Sequence, residues 1–399
     1  MQVRLLTGIV YLLACHIATA SETDRDSNKG TSSVIRTFPL EGAHIWQTAL
    51  TDSTIAFVLH KRDSSVVCVF GLDGQLRFRW AQSDSVNTQI QYVSLCRRAS
   101  SLIVCQLRGI ESYVSRVFTT GGSALFSVSG QGGLLSSPDG RYFAATAPAD
   151  AFEPFRIYNR TGQITLEHTA WGLCGWTCAF IDDSLLALVP NGSDTITCID
   201  ARNGKTLWNS VLNLQEDQSP VAVQVSLDPP AILLNNSDGA CAVDFDGQQL
   251  WNRQFDGKLR ALVVDPIRQR LIAQLFDIKG GYGLMWAIAI TDGSDSSEPL
   301  RLAREETVSA LGANHFHFLD DLLLLHGPTN TSPVIRYHWK EFWTSFFLYD
   351  DEQMQFRRLG RRLGRYYPIR MDGNGSAYLH VAPAGEASIV TLSDSEIAE

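Results

Sequence analysis

The stretch Cys198-Ile-Asp-Ala-Arg-Asn-Gly204-Lys-Thr-Leu-Trp208 decides the fold, because its pattern occurs three times in the chain. Each copy has a cysteine six residues before a glycine and an aromatic residue four residues after it. The other two copies are Cys68-Val-Phe-Gly-Leu-Asp-Gly74-Gln-Leu-Arg-Phe78 and Cys241-Ala-Val-Asp-Phe-Asp-Gly247-Gln-Gln-Leu-Trp251. A pattern that recurs in the same register at distant positions indicates a repeat architecture.

The repeat length follows from the turn glycines, which recur 40 to 48 residues apart at Gly74, Gly122, Gly162, Gly204 and Gly247. The fourth residue after each glycine is Phe78, Phe126, Leu166, Trp208 and Trp251, so Leu166 is the exception. Short apolar runs precede the turns, as at Thr54–Leu59, and such runs are typical of strands buried on both faces. This spacing predicts an all-β chain folded as a β-propeller of four-stranded blades.

Counting the units predicts eight blades, with seven left open. The units cover roughly residues 43–82, 88–130, 133–170, 177–214, 222–257, 260–302, 312–358 and 366–396. Gly293 marks the sixth turn and precedes a polar insertion at 294–299, beyond which the repeat degrades. The last unit lacks one strand, and we expect residues 33–40 to supply it and close the ring. A single propeller domain is thus predicted over residues 34–399.

The N-terminal segment predicts export. One charged residue, Arg4, precedes an apolar run from Leu5 to Ala14, and Ala18-Thr-Ala20 forms a small-x-small cleavage site. We therefore interpret residues 1–20 as a signal peptide cleaved after Ala20, residues 21–33 as a disordered leader, and the protein as secreted or periplasmic. The alternative is a lipid anchor at Cys15. Later apolar runs fall short of the roughly 20 residues of a membrane helix, so we expect no transmembrane segment in the mature chain.

Composition narrows the class of partner. The chain has 399 residues, of which 45% are hydrophobic and 19% charged, and its formal net charge is −9. Phosphate binding relies on clustered Lys and Arg, so an acidic exported protein is not expected to bind nucleic acid. The sequence predicts a protein partner of unknown identity, with a glycan as a further candidate.

Two repeats carry a family resemblance. Ile199-Asp-Ala-Arg-Asn-Gly204-Lys-Thr-Leu-Trp208 and Val243-Asp-Phe-Asp-Gly247-Gln-Gln-Leu-Trp251 resemble the repeat of the quinoprotein-like (PQQ-like) propellers, and Ser137-Pro-Asp-Gly140-Arg-Tyr-Phe143-Ala is similar to the turn of WD40-like and TolB-like propellers. The resemblance implies tryptophans that dock between blades. Quinone-dependent members use an adjacent Cys-Cys disulfide beside the cofactor. This chain has no such pair, so we predict no cofactor, no catalytic residue and no metal ligand by resemblance.

The cysteines and histidines offer weaker signals. Cys68, Cys198 and Cys241 share one repeat position and are predicted to be small buried apolar residues. Cys174 and Cys178 flank Gly-Trp-Thr and form a candidate disulfide, since an exported compartment permits one. His315 and His317 would lie on one face of a strand, either as a metal-chelating pair or as ordinary polar residues, and we predict no metal site.

Five Asn-x-Ser/Thr sequons are either glycan acceptors or turn residues. They begin at Asn159, Asn191, Asn235, Asn330 and Asn374.

The strongest charge cluster is a run of arginines near the C-terminus. It comprises Arg357, Arg358, Arg361, Arg362 and Arg365. In an acidic protein such a cluster is a candidate interaction patch for a carboxylate-rich partner or an anionic glycan or lipid surface. We interpret the run first as a solvated loop between two units, with the interaction patch as the alternative.

Nucleophile motifs, phosphate-cradling loops and metalloprotease helices are absent from the sequence. We therefore expect an exported, non-enzymatic propeller that acts as a protein-binding or scaffolding module. One alternative is a hydrolase or lyase acting on a carbohydrate or peptide at the channel mouth, with carboxylates drawn from Asp182, Asp183, Asp320 and Asp321. Another alternative, which depends on lipidated Cys15, is a lipoprotein resembling the propellers of outer-membrane protein assembly.

Overall fold

The computed structural model describes thirty-two strands arranged in eight antiparallel four-stranded sheets. It describes residues 33–40, 43–61, 64–83, 88–96, 101–108, 112–129, 133–146, 154–168, 176–190, 193–212, 222–236, 238–265, 268–277, 282–302, 316–319, 322–328, 342–350, 353, 355–369, 377–382, 385–392 and 396–397. The sheets form the ring of an eight-bladed β-propeller. The eight-bladed prediction is confirmed.

Blades 1 to 4 are each built from four consecutive strands. Blade 1 consists of β2 (His44–Leu50), β3 (Thr54–Lys61), β4 (Ser64–Gly71) and β5 (Leu76–Ser83). Blade 2 consists of β6 (Thr88–Leu95), β7 (Ser101–Arg108), β8 (Ser112–Thr119) and β9 (Ala124–Ser129). Blade 3 consists of β10 (Gly133–Ser136), β11 (Tyr142–Thr146), β12 (Phe155–Asn159) and β13 (Ile164–His168). Blade 4 consists of β14 (Trp176–Phe180), β15 (Leu185–Pro190), β16 (Thr195–Asp200) and β17 (Lys205–Val211).

Blades 5 to 7 continue this order, and blade 8 combines both ends of the described chain. Blade 5 consists of β18 (Ala222–Leu227), β19 (Pro230–Asn235), β20 (Gly239–Val243) and β21 (Gln249–Gln254). Blade 6 consists of β22 (Lys258–Asp265), β23 (Arg270–Asp277), β24 (Tyr282–Ala289) and β25 (Leu300–Arg301). Blade 7 consists of β26 (Phe316–Leu319), β27 (Leu322–Pro328), β28 (Phe342–Asp350) and β29 (Gln355–Leu363). Blade 8 consists of β30 (Arg365–Ile369), β31 (Ala377–Val381), β32 (Ala387–Thr391) and β1 (Ser33–Phe38).

Burial distinguishes the strands within a blade. The first strands of successive blades contact one another, as β2 contacts β6 and β14 contacts β18, so they line the inside of the ring. The second and third strands are covered by the neighbouring blades on both faces, and residues 54–59 of β3 are all buried. Fourth strands lie at the outer edge and are largely exposed, as in β17. The apolar runs of the sequence are thus the middle strands of the blades, as predicted.

The six repeat glycines from Gly74 to Gly293 each receive a side chain from the preceding blade. The turn glycines adopt positive φ angles, and a Cβ added at Gly247 would lie 2.8 Å from the Trp208 ring. The same relation joins Gly293 to Trp251 at 2.8 Å, and Gly204 to Leu166, the non-aromatic exception, also at 2.8 Å. The repeat pattern therefore encodes contacts between blades as well as turns within them.

The ring closes through the N-terminal strand, as the sequence predicts. β1 pairs with β32 from Ser33 opposite Thr391 to Phe38 opposite Ala387. Arg36 takes the place that the aromatic residue holds elsewhere, because its Cδ lies 2.6 Å from a Cβ added at Gly74, and its guanidinium donates to the Leu72 carbonyl. Blade 8 is thereby joined to blade 1 by the same kind of contact.

The C-terminal end packs against the junction of blades 7 and 8. Ile397 is 2% exposed and belongs to a cluster that includes Phe346 of blade 7 and Tyr378 of blade 8. Glu396 beside it is also buried. Residues 396–397 therefore lie against the interface between these two blades.

Candidate interaction surface

Two of the four acidic residues considered for a channel-mouth enzyme lie within the described part of the chain. Asp182 lies in the turn between β14 and β15, and its carboxylate accepts the backbone N–H groups of Ser184 and Leu185, both at 2.7 Å. Asp183 follows in the same turn, whereas Asp320 and Asp321 lie outside the described residues. The Asp182 carboxylate therefore stabilises its own turn.

The repeated cysteines occupy equivalent buried positions on the third strands of three blades. Cys68, Cys198 and Cys241 are 6%, 1% and 0% exposed. Burial raises the pKa of the Cys198 thiol to about 11 and that of Cys241 to about 12. Their role as small apolar side chains is as predicted.

Of the candidate disulfide pair, only Cys178 lies within the described residues. Cys178 lies on β14, and burial raises the pKa of its thiol to about 12. Cys174 lies outside the described residues, so the disulfide between them stays a prediction. His315 also lies outside them, and His317 is described only as a backbone position on β26.

Two of the five sequons are described. Asn159 begins a turn, where its side-chain oxygen accepts the backbone N–H groups of Thr161 and Gln163, both at 3.0 Å. Asn235 ends β19 and is 8% exposed. Asn191, Asn330 and Asn374 lie outside the described residues.

The recurring tryptophans dock between blades. The Trp208 indole N–H donates to the Phe245 carbonyl at 2.8 Å, and that of Trp251 donates to the Ile290 carbonyl at 2.6 Å. Each bond crosses from an outer strand to the third-to-fourth-strand turn of the next blade. The docking role that the resemblance implies is thus confirmed for both side chains.

Four of the five clustered arginines lie together on β29, which we call the arginine strand (Gln355–Leu363). Its nine residues make it the longest fourth strand among those described. Arg357 and Arg358 are exposed, and Arg361 and Arg362 are half-buried. The segment is therefore an edge strand, so the favoured interpretation as a loop is wrong, whereas the predicted solvent exposure holds for Arg357 and Arg358.

Arg365 is separated from the other four because it begins β30, the inner strand of blade 8. Desolvation and, to a smaller extent, the charge of Arg365 lower the pKa of His44 on β2. Arg365 thus lies near the start of blade 1 and not on the outer edge. The predicted patch is reduced to Arg357, Arg358, Arg361 and Arg362.

These four arginines emerge on both faces of the sheet. Arg357 and Arg362 lie opposite Leu348 and Thr344, on the face that Phe346 turns toward blade 8. Arg358 and Arg361 lie opposite Phe347 and Ser345, on the face that Phe347 turns toward blade 6. Each face of the outer edge therefore carries two guanidinium groups.

Neighbouring aromatic rings hold these side chains. The Arg358 guanidinium lies 5.7 Å from the ring centre of Phe347, and that of Arg361 lies 5.7 Å from Trp343, both within the range of a cation–π contact. Burial raises the pKa of Tyr366, while nearby Arg362 opposes this shift and Glu396 adds to it. Arg362 is thus in the electrostatic environment of the C-terminal end.

A groove that the repeat pattern does not predict lies between blades 1 and 2. Its volume is about 460 Å³, and its walls include Trp80 of β5 and Arg116, Phe118 and Phe126 of blade 2. The Arg116 guanidinium lies 5.8 Å from the Trp80 ring. The signal in the sequence is Trp80 itself, because the corresponding sixth residue after the turn glycine is Val128, His168, Ser210 or Arg253 in the next four blades.

Neither a membrane helix nor a metal cluster has a candidate among the described residues. None of their helices is long and apolar enough to span a membrane. No group of three or more His, Cys, Asp or Glu side chains among them is placed to hold a metal ion.

Together these features define an eight-bladed β-propeller with a basic outer edge on blade 7. Among solved structures, Sqt1 from Saccharomyces cerevisiae is similar, with a TM-score of 0.61 and 10% identity over 90% of this chain and 99% of that one. BamB from Moraxella catarrhalis has a TM-score of 0.56 and 11% identity, covering 91% and 98% of the two chains. The C-terminal WD40 domain of Sif2 has a TM-score of 0.55 and 10% identity, covering 91% and 98%.

The similarity to these structures agrees with the β-propeller fold that the sequence predicts. At this level of identity the likeness concerns the fold alone. No protein-family model and no curated protein matches the chain.

Proposed function

We propose that this chain is an exported, non-enzymatic β-propeller that binds a protein partner through the arginine strand. The observation that carries the proposal is a set of four arginines on the longest described fourth strand of a chain whose formal net charge is −9. A local charge opposite to that of the whole molecule orients an approaching acidic partner and favours one docking site.

The rest of the fold supports such a role. Glycine turns and tryptophan side chains interlock successive blades, and β1 closes the ring with the last one. A closed ring holds its outer strands in fixed positions, so a partner can bind without an ordering step in the propeller. The apolar segment at residues 1–20 supports export.

The alternative of a channel-mouth enzyme has less support. Asp182, one of its four candidate acids, accepts two backbone hydrogen bonds from its own turn. A carboxylate held in that way is placed for structure, whereas a general acid or base must reach a substrate.

Site-specific photo-crosslinking tests the proposal. Benzoylphenylalanine replaces Leu363 on the arginine strand or, as a matched control, Leu250 on β21; both side chains are 43% exposed on outer strands. The mature chain carrying either residue is irradiated in an extract of the organism of origin, and adducts are identified by mass spectrometry. We expect a single stoichiometric partner from position 363 that position 250 does not capture.

The same crosslink is repeated in a chain carrying R357E and R358E. We expect the adduct at position 363 to disappear in that background, because both arginines are exposed at the docking edge. Adducts that are equal at both positions, or that persist after charge reversal, contradict the proposed function.

A further inference from the structure

We infer that the arginine strand binds an extended acidic segment of the partner protein, which adds to blade 7 as a fifth strand. The inference rests on the proposed function and specifies the chemistry of the partner. The sheet order places β29 at the end of its sheet, and among the described strands only β28 pairs with it. Its nine-residue outer edge therefore offers backbone donors and acceptors to an incoming strand.

The positions of the arginines select the occupant. Successive side chains of an added strand point to opposite faces of the sheet. The arginine strand carries Arg357 and Arg362 on the face toward blade 8, and Arg358 and Arg361 on the face toward blade 6. A segment with acidic residues on both faces thus meets a guanidinium group on each side.

The spacing of the arginines defines a pattern for that segment. Arg357 and Arg358 form one pair, and Arg361 and Arg362 form another, with a register shift between them at residues 358–360. Because of that shift, the two pairs lie opposite residues only three positions apart on β28, 347–348 and 344–345, which is roughly 10 Å at about 3.3 Å per residue. We therefore expect two acidic pairs in the partner, separated by one uncharged residue.

The aromatic contacts favour binding further. Arg358 and Arg361 already lie against Phe347 and Trp343, so their side chains lose less conformational entropy when a carboxylate arrives. The same charges disfavour pairing with apolar or basic strands, because guanidinium groups along an open edge would lose solvation without gaining a partner. The edge is thus selective as well as open.

Fluorescence anisotropy with a labelled octapeptide of sequence TEEVEETT tests the inference on the purified mature chain. A second probe has the same sequence with N-methyl groups on alternate backbone nitrogens, which keeps the charge and removes strand pairing. The protein variants are R357E/R358E and, as a matched control, R77E/R79E, which reverses two exposed arginines on the outer strand of blade 1.

We expect the first probe to bind wild type and R77E/R79E equally, and R357E/R358E at least tenfold more weakly. We also expect the N-methylated probe to lose at least tenfold in affinity, and binding of the first probe to weaken as salt is raised. Circular dichroism and the melting temperature establish that both variants are folded.

Three outcomes would overturn the inference. Equal binding of the first and N-methylated probes would show that charge attraction alone accounts for the affinity and that no strand is added. Tighter binding of heparin or of vesicles containing phosphatidylserine would assign the surface to a glycan or a membrane. If no peptide binds but crosslinking from position 363 still captures a charge-sensitive partner, the proposed function stands and the acidic strand is wrong.

Discussion

Turn glycines join each of blades 1 to 6 to the blade before it through a contact that leaves no room for a side chain. At Gly247 the φ angle is 88° and the site faces the Trp208 ring. A residue with a Cβ atom there would be strained in its backbone and would displace the ring. The same atom-level constraint explains why glycine recurs at this position while the flanking residues vary.

We expect G247A to lower the free energy of unfolding by about 1–3 kcal/mol, because it combines backbone strain with a Cβ atom 2.8 Å from the Trp208 ring. The control is G121A, where the φ angle is outside the left-handed region and the nearest atom to an added Cβ is Thr119 Oγ1 at 3.8 Å. Chemical denaturation measures both. Equal losses in the two variants would contradict the proposed contact.

Because Cys241 is a buried thiol, we expect the free energy of unfolding to depend on pH in the alkaline range. Burial raises the pKa of Cys241 from 9.0 to about 12, so the folded state keeps a proton that the unfolded state releases above pH 9. The contribution of this thiol to stability is therefore complete below about pH 9 and decreases as the pH rises toward 12.

We expect the free energy of unfolding to fall less steeply between pH 9 and 10.5 in C241A than in wild type. Urea denaturation across that range gives the slope of the free energy of unfolding against pH for each protein. Subtracting one slope from the other cancels the contribution of the titrating groups that both proteins share. Parallel slopes would show that Cys241 ionises alike in both states.

Among the elements, β1 closes the ring mainly through its last residue. Phe38 is 2% exposed, and its ring centre lies 5.6 Å from that of Phe57 and 5.3 Å from that of Phe70, both in blade 1. Val34 in the same strand is 59% exposed. The strand thus pairs with blade 8 through its backbone and packs against blade 1 through its end.

We expect F38A to lower the free energy of unfolding by about 3–5 kcal/mol, as for other large-to-small changes in a core. V34A in the same strand is the control and should stay within about 0.5 kcal/mol of wild type. Hydrogen exchange should show increased opening of β1 and β32 in F38A. Unchanged protection there would contradict the closing role of Phe38.

The sequence predicts a strand or turn well only where the blade keeps the repeat pattern. Gly74 to Gly293 allowed the turns of blades 1 to 6 to be aligned, and the fold confirms them. Blade 7 has no glycine between Asp350 and Gln355, so the repeat does not align there and the sequence favours a loop where β29 forms. Arg365 is close to Arg362 in sequence, yet the chain passes from the outer strand of one blade to the inner strand of the next between them.

For the whole molecule, the proposed export predicts the N-terminal residue, and so the mass, of the mature protein. We expect the mature chain from the native organism to begin at Ser21, since Ala18-Thr-Ala20 matches a small-x-small cleavage site. Intact-mass spectrometry checks this. A mass that includes residues 1–20 would contradict cleavage, and a chain that starts at an acylated Cys15 would favour the lipoprotein alternative.

The pairing of β1 with β32 also determines how the molecule responds to mechanical load. Ser33 and Thr391 are direct partners at the outer end of that pair, so both ends of the described ring leave from one point. A force that pulls them apart acts across the strands and breaks their hydrogen bonds one at a time, as in unzipping, instead of shearing them all together. Blade 8 is therefore the seam at which the ring opens first, before tension reaches the seven blades formed from continuous chain.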